Sequence, residues 1–268
     1  MLDIQWKGKI GYGDIVSPIC YAHNVSYKLD TPVSLTFRWS SDSQQKIHPQ
    51  DPEPLWIRAS YIHEMCEKNG TRVDVHHRFS DPLDINHTNY DWDVVGKDPF
   101  HNYWRPSYAH KQMGKYVVVN STTNNVVSLK DYGKPWKDPI GEGWPYVIDI
   151  IKEQYDVVIV DYRTPIRELM MLLRSARGFV GYHGTAAWPA KFMHTPSILI
   201  ADGGSLTRNA FPYATIKKDV KTLRATFAKM DDMFQRSADM IAKARNDYAT
   251  YHPSQQFIDH LHYAAKTI

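Results

Sequence analysis

The sequence predicts an α/β protein of two domains, each a Rossmann-like parallel sheet with helices between its strands. Three observations carry that prediction. Apolar strand-like runs alternate with helical stripes twice along the chain. The run Tyr116-Val117-Val118-Val119 is continuously apolar, as buried parallel strands are, and Val157-Val158-Ile159-Val160 and Ser197-Ile198-Leu199-Ile200 follow as further strands. A chain of 268 residues suits one large core or two of ordinary size.

Taken in order, residues 2–6 read as a short strand followed by a glycine-rich turn at 8–14. Ile15, Ile19, Ala22 and Val25 then fall at helical spacing. Val33, Leu35, Phe37 and Trp39 alternate strictly and mark a strand. Asp51-Pro52 can start a helix with the stripe Leu55, Ala59, Ile62 and Cys66, and Val73 and Val75 suggest a third strand. Residues 77–114 read as irregular, a length that marks a functional loop or a domain connection. In the second half, helical stripes at Trp144, Val147, Ile148, Ile151 and at Ile166, Leu169, Met170, Leu173 separate the strands. Further strands are expected at 178–181 and 197–200, with another at 214–216, and a short helix at 186–193. Leu223, Phe227, Met230, Phe234 and Ile241 are read as one long helix, and Phe257, Leu261 and Ala264 as a second. The expected divisions are 1–112, 113–220 and a helical segment 221–268 that packs across both domains.

Composition narrows the function classes. Hydrophobic residues are 43% and charged residues 23%, an ordinary globular balance. A net charge of +3 is far from that of a dedicated nucleic-acid wrapper, though it permits an anionic ligand. The two cysteines, Cys20 and Cys66, sit on apolar stripes and are read as reduced core thiols. No run reaches the ~20 apolar residues of a membrane span. The first residues lack the basic and apolar regions of a signal peptide, so a cytoplasmic protein is expected. His76, His77 and His183 have no Cys or carboxylate at ligand spacing, so no metal site is expected.

The chemistry-bearing motifs lie at strand ends. Gly11 and Gly13 flank Tyr12 ahead of a helix, with Asp14 at its cap or first turn. Asp14 is open to two roles, capping the helix or presenting a carboxylate to a cleft. Gly181-Tyr182-His183-Gly184-Thr185-Ala186 runs from a strand end to a helix start, a place suited to a diphosphate; an ordinary tight turn with a core His is the alternative. Asn120, Thr122 and their polar neighbours follow a strand, as do Arg163 and, one turn on, Glu168. Lys134 and Arg208 are candidate phosphate partners, each also readable as a solvated surface cation. His101, Tyr103, Trp104 and Arg105 mix aromatic and basic groups, suited either to stacking on an acceptor or to packing.

With those residues in view, the chain resembles the heptosyltransferase-like branch of the GT-B glycosyltransferases. The resemblance rests on Gly13-Asp14-Ile15-Val16-Ser17-Pro18, on Lys134-Pro135-Trp136, and on Val180-Gly181-Tyr182-His183-Gly184-Thr185 followed by Pro196 and an apolar strand. It covers roughly residues 2–20 and 115–202. The chain departs from the family where an Asp-Thr-Gly turn becomes His183-Gly184-Thr185 and a later His becomes Trp188. The resemblance implies two Rossmann-like domains facing a cleft. It implies direct, inverting, metal-independent transfer of a sugar from a nucleoside-diphosphate sugar, without a further cofactor. Asp14 would be the base. Gly13, Asn120, Thr122, Lys134, Arg163, Glu168, His183, Gly184, Thr185, Ala186 and Arg208 would hold the donor, and Tyr12, His101, Tyr103, Trp104 and Arg105 the acceptor. A further likeness to proteins of cyanobacterial phages, whose group glycosylates hydroxymethylated bases, makes DNA the leading acceptor. A lipopolysaccharide-type saccharide, or a non-catalytic nucleotide-sugar-binding module, stands behind it.

Overall fold

The computed structural model describes residues 1–7, 12–40, 53–67, 70–80, 114–121, 140, 143–161, 163–184, 186–201, 211, 214–217, 223–256 and 258–259, without the side chains of 7, 12–14, 40, 67, 80, 216, 217 and 223. The chain divides into two compact units. One holds Met1–Ser107 with Arg245–Ile268, the other Tyr108–Ala244.

The N-terminal unit runs β1 (Leu2–Lys7), α1 (Tyr12–Leu29), β2 (Val33–Ser40), α2 (Leu55–Glu67) and β3 (Val73–Ser80). Its sheet has the order β1-β2-β3, all parallel. Right-handed crossovers that step the same way each time place both helices on one face, and α1 and α2 do pack against each other. That face is built from alternate residues. Leu2, Ile4, Trp6, Val33, Leu35, Phe37, Trp39 and Val73 are all buried against the helical stripes Ile15, Ile19, Ala22, Val25 and Leu55, Ala59, Ile62, Cys66. Trp6, Phe37 and Trp39 form an aromatic cluster, with Phe37 and Trp39 stacked 5.2 Å apart. Both cysteines are free and buried, as the apolar stripes imply. β3 extends to Ser80, so residues 77–80 belong to a strand and not to the irregular segment the sequence suggested. Their alternation is hidden because His76, His77 and Arg78 are all polar.

The C-terminal unit runs β4 (Tyr116–Asn120), α3 (Trp144–Lys152), β5 (Asp156–Ile159), α4 (Ile166–Ser175), β6 (Gly178–Tyr182), α5 (Ala187–Met193), β7 (Ser197–Ile200), β8 (Thr215–Lys217), α6 (Leu223–Phe227) and α7 (Met230–Thr250). The sheet order is β5-β4-β6-β7-β8, all parallel. By position in the sheet this is 2-1-3-4-5, a doubly wound order that reverses direction between β4 and β6. Helices cover both faces. Val117, Val119, Val180, Tyr182, Ile198 and Ile200 pack with residues of α3, α6 and α7. On the other face α4 and α5 pack together, and α5 lies against β6 and β7. This two-sided cover is why β4, β6 and β7 read as apolar runs. β5 lies at the edge of the sheet with Asp156 and Ile159 exposed, so its apolar run does not reflect cover on both faces. The long helix expected over 223–241 is instead two helices, α6 and α7, broken at residues 228–229. Phe227 and Met230 flank the break and both enter the core.

α7 ends at Thr250, within the N-terminal unit's share of the chain. There Lys28, in the last turn of α1, donates to the carbonyls of Tyr248 (2.6 Å) and Tyr251 (3.1 Å). A cation on the last carbonyls of a helix satisfies groups with no intrahelical donor. Its ammonium also lies 4.4 Å from the centre of the Tyr248 ring, and the Tyr248 hydroxyl donates to Asn24. Burial lowers the Lys28 pKa.

Candidate functional site

The carboxyl ends of β4 and β6 define the candidate site of the C-terminal unit. Neighbouring strands whose connections run in opposite directions leave a crevice beyond their ends, and open α/β sheets bind ligands there. Asn120, the last residue of β4, is paired in register with Gly181 on β6. Asn120 is buried at 3% exposure, so its amide is held in the sheet end and not spread over the surface. A Cβ at Gly181 would stand 2.8 Å from the Asn120 carbonyl oxygen and 2.8 Å from the Phe179 ring. Glycine is therefore required at this position by close approach of the two strands.

Beyond Gly181 the chain turns through Tyr182, His183 and Gly184 into α5. Tyr182 is buried, and its hydroxyl accepts from Trp144 Nε1 at 2.6 Å, tying the end of β6 to the start of α3. The sequence placed Trp144 on a helical stripe and Tyr182 in the strand-end turn, without joining them. A polar handle on each ring was the signal that they could be joined. His183 and Gly184 are partly exposed, and Ala186 precedes α5 as its cap. Pro189 sits in the first turn, where proline is tolerated. The backbone of this turn is partly committed: the Ala187 N–H bonds the Gly184 carbonyl at 3.1 Å. α5 is only seven residues long. The helix-end contribution to anion binding is correspondingly smaller than the sequence suggested, and the strand-end crevice is the stronger feature.

The turn after β5 lies at the same end of the sheet. Asp161 organises it, accepting from the Arg163 N–H at 2.8 Å, while its own N–H reaches Thr164 Oγ1. The Arg163 guanidinium lies 3.3 Å from the Asp161 carboxylate, with both side chains substantially exposed. Such an exposed pair is weak and can exchange for a phosphate without large cost. Glu168 is exposed in the first turn of α4, where the helix dipole favours a carboxylate. The structure thus brings Asn120, Arg163, Glu168, His183, Gly184 and Ala186 to one end of one sheet. Thr122, Lys134, Thr185 and Arg208 lie outside the described residues, as do His101, Tyr103, Trp104 and Arg105.

In the N-terminal unit, Tyr12, Gly13 and Asp14 form the first turn of α1; their side chains lie outside the described residues. The helix begins at Tyr12, which puts Asp14 in its first turn, one of the two positions the sequence allowed, and not at its cap. Pro18 is inside it and cannot donate to the carbonyl of residue 14, so the helix is locally weakened beside the proposed base. A cavity beside Lys191, His194 and Ser197 measures about 10 Å³, room for one water and no ligand. Among the described residues, no three His, Cys, Asp or Glu are grouped to hold a metal ion. Nor is any helix among them long and apolar enough to cross a membrane.

No protein-family model matches the chain, and no curated protein matches it. Among solved structures it is similar to the iron-containing dodecameric glycosyltransferase TibC from enterotoxigenic E. coli H10407, at 16% identity over 92% of this chain and 76% of that one, with a TM-score of 0.45. TibC in complex with ADP-D-beta-D-heptose gives 15% identity, coverages of 99% and 77%, and a TM-score of 0.43. The spinosyn rhamnosyltransferase SpnG with thymidine diphosphate gives 14%, 90%, 70% and 0.33. Scores below 0.5 at such identities establish neither fold nor activity for this chain.

Proposed function

We propose that the protein is a GT-B-type glycosyltransferase that uses a nucleoside-diphosphate sugar, with the donor held beyond β4 and β6. One observation carries the reading: Asn120 faces Gly181 where the 2-1-3-4-5 sheet reverses, with His183-Gly184 directly after. A nucleoside diphosphate offers two anionic groups for backbone and Arg163, and ribose hydroxyls for Glu168. Thr122, Lys134, Thr185 and Arg208 are further proposed donor contacts, and Gly13 another. Asp14 is the proposed base, taking the proton from the acceptor hydroxyl as that oxygen attacks the anomeric carbon and the nucleoside diphosphate departs. The chemistry as written uses no metal. Tyr12, His101, Tyr103, Trp104 and Arg105 are the proposed acceptor contacts. A saccharide hydroxyl is favoured over DNA as acceptor, because a net charge of +3 supplies little of the phosphate-neutralising surface a DNA enzyme depends on.

A thermal-shift screen of uridine, guanosine, adenosine, cytidine and thymidine diphosphates tests the donor site. A ligand at about 100 times its Kd stabilises the folded chain by about 2.7 kcal/mol. Gly181→Ala is expected to abolish that shift, since its Cβ cannot avoid a backbone oxygen. Asp14→Asn is expected to keep the shift and lose turnover. A flat screen sinks the donor site; an Asp14→Asn variant with full transfer sinks the base.

A further inference from the structure

The face of the N-terminal sheet turned away from α1 and α2 is polar throughout, which is unusual for a parallel sheet. Its residues fall into three rows set by the strand register. Asp3, Ser34 and Asp74 form one row; Gln5, Thr36 and His76 the next; Lys7, Arg38 and Arg78 the last. Adjacent strands are about 4.8 Å apart, so the last row sets three cationic residues side by side at the carboxyl ends of the strands. The acidic row lies four residues back, about 13 Å away, beyond a Debye length at physiological salt. An anion is therefore drawn to one end of this face and repelled from the other. Asp3, Gln5, Thr36, His76 and Arg78 line an open depression of about 670 Å³ over it.

Two further observations point to a ligand. Like charges directly opposite one another on a sheet repel, and among the described residues neither Arg38 nor Arg78 has a carboxylate within ion-pair distance. The Arg38 Nε is also shielded from solvent and makes no hydrogen bond. A guanidinium nitrogen removed from water without an acceptor carries the desolvation cost with no compensating bond. The planar forks of two adjacent arginines match the several oxygens of a phosphoryl group.

We propose that Arg38 and Arg78 form an anion site on the polar face of the N-terminal sheet that binds a phosphoryl-bearing ligand. Thr36 and His76 in the neighbouring row face the same ligand. The proposal is independent of the transferase reading, since it rests on neither the C-terminal unit nor Asp14.

The test is a titration of the full chain with pyrophosphate at low salt, read from the imidazole signals of His76 and assigned through His76→Gln. The wild type is expected to show a saturable shift, and Arg38→Gln/Arg78→Gln at least a tenfold weaker one. Arg38→Lys/Arg78→Lys keeps the charge but not the forks, and is expected to bind threefold to tenfold more weakly than wild type; it carries the test if the glutamine pair does not fold by circular dichroism. Parallel titrations with inorganic phosphate and glucose 1-phosphate identify the source, the tighter ligand being the nearer mimic. An unmoved His76 signal in the wild type, or equal affinity in a natively folded variant, overturns the proposal. Gly181→Ala is expected to leave the pyrophosphate response of His76 unchanged, and the Arg38→Gln/Arg78→Gln pair to leave the part of the nucleoside-diphosphate shift that Gly181→Ala removes, so this site and the donor site fail separately.

Discussion

Both sheets of this chain are wholly parallel, yet their strand orders cover them differently. The C-terminal sheet winds out in one direction, returns past its first strand and continues, so helices arrive on both faces. The N-terminal sheet steps β1-β2-β3 in one direction, and its two intervening helices share one face. The first arrangement creates a reversal point with a crevice at the strand ends. The second gives a face that carries polar and charged side chains among the described residues. One topology concentrates candidate chemistry at an end, the other spreads it over a surface.

Removing one large side chain from each core should separate the two units most strongly. Phe37 and Phe179 are both fully buried, Phe37 within the aromatic cluster and Phe179 under Gly181. Each change to Ala is expected to cost about 3–5 kcal/mol. Hydrogen exchange resolved by peptide should show Phe37→Ala loosening residues 2–40 and 73–80 with β4, β6 and β7 kept. Phe179→Ala should do the reverse. Identical losses of protection in both units for each variant would show that the two cores do not unfold separately.

How much of this difference was legible in the sequence follows from the same covering. In the C-terminal sheet β4, β6 and β7 announced themselves because two-sided burial leaves mostly apolar residues. The edge strand β5 was legible from Val157-Val158-Ile159 although Ile159 is exposed, and β8 from Ala214-Thr215-Ile216. β2 was equally plain, since Val33, Leu35, Phe37 and Trp39 alternate with polar partners. β3 was legible only at its start, because after Val75 its inward residue is His77. His77 fills an apolar position by stacking on Phe37 and accepting from Trp39 Nε1 at 3.1 Å. Strand-end residues of the candidate site were legible from glycine and small polar groups after apolar runs. The pairing of Asn120 with Gly181 was not, because register is a long-range property. The Lys7, Arg38, Arg78 row was hidden for the same reason, its members being spread over residues 7–78.

The two units also differ in their response to acid. His23 on α1 is buried, with Nε2 2.9 Å from His63 Nδ1 on α2 and Nδ1 2.5 Å from Thr71 Oγ1. Burial first, and the neighbouring His63 second, lower its pKa from 6.5 to about 3. His77 is also lowered, by burial and then by His63 and His76. A base whose folded pKa is depressed takes up its proton on unfolding. Its stabilising effect is complete above the unfolded pKa of 6.5 and falls as pH drops from there toward 3, by about 1.4 kcal/mol per pH unit. Urea melts of the wild type between pH 7 and 4 should show this slope, with the N-terminal unit giving way first. His23→Gln, which cannot titrate, should flatten it; an unchanged slope in that variant would remove His23 as its source.

The smallest effect bears on the polar face of the N-terminal sheet. If Arg38 sits between like charges without an internal partner, Arg38→Thr should stabilise the ligand-free protein at low salt. The gain is expected at about 0.2–1 kcal/mol, from relieved repulsion and from threonine's fit to a strand. Screening works over about 3 Å at 1 M salt, so high salt should reduce the gain to the strand-fit part alone. Urea melts of both proteins at 0.02 M and 1 M sodium chloride measure it. A variant less stable than wild type at low salt would mean that the Arg38 side chain contributes more through packing of its stem than it costs through its charge.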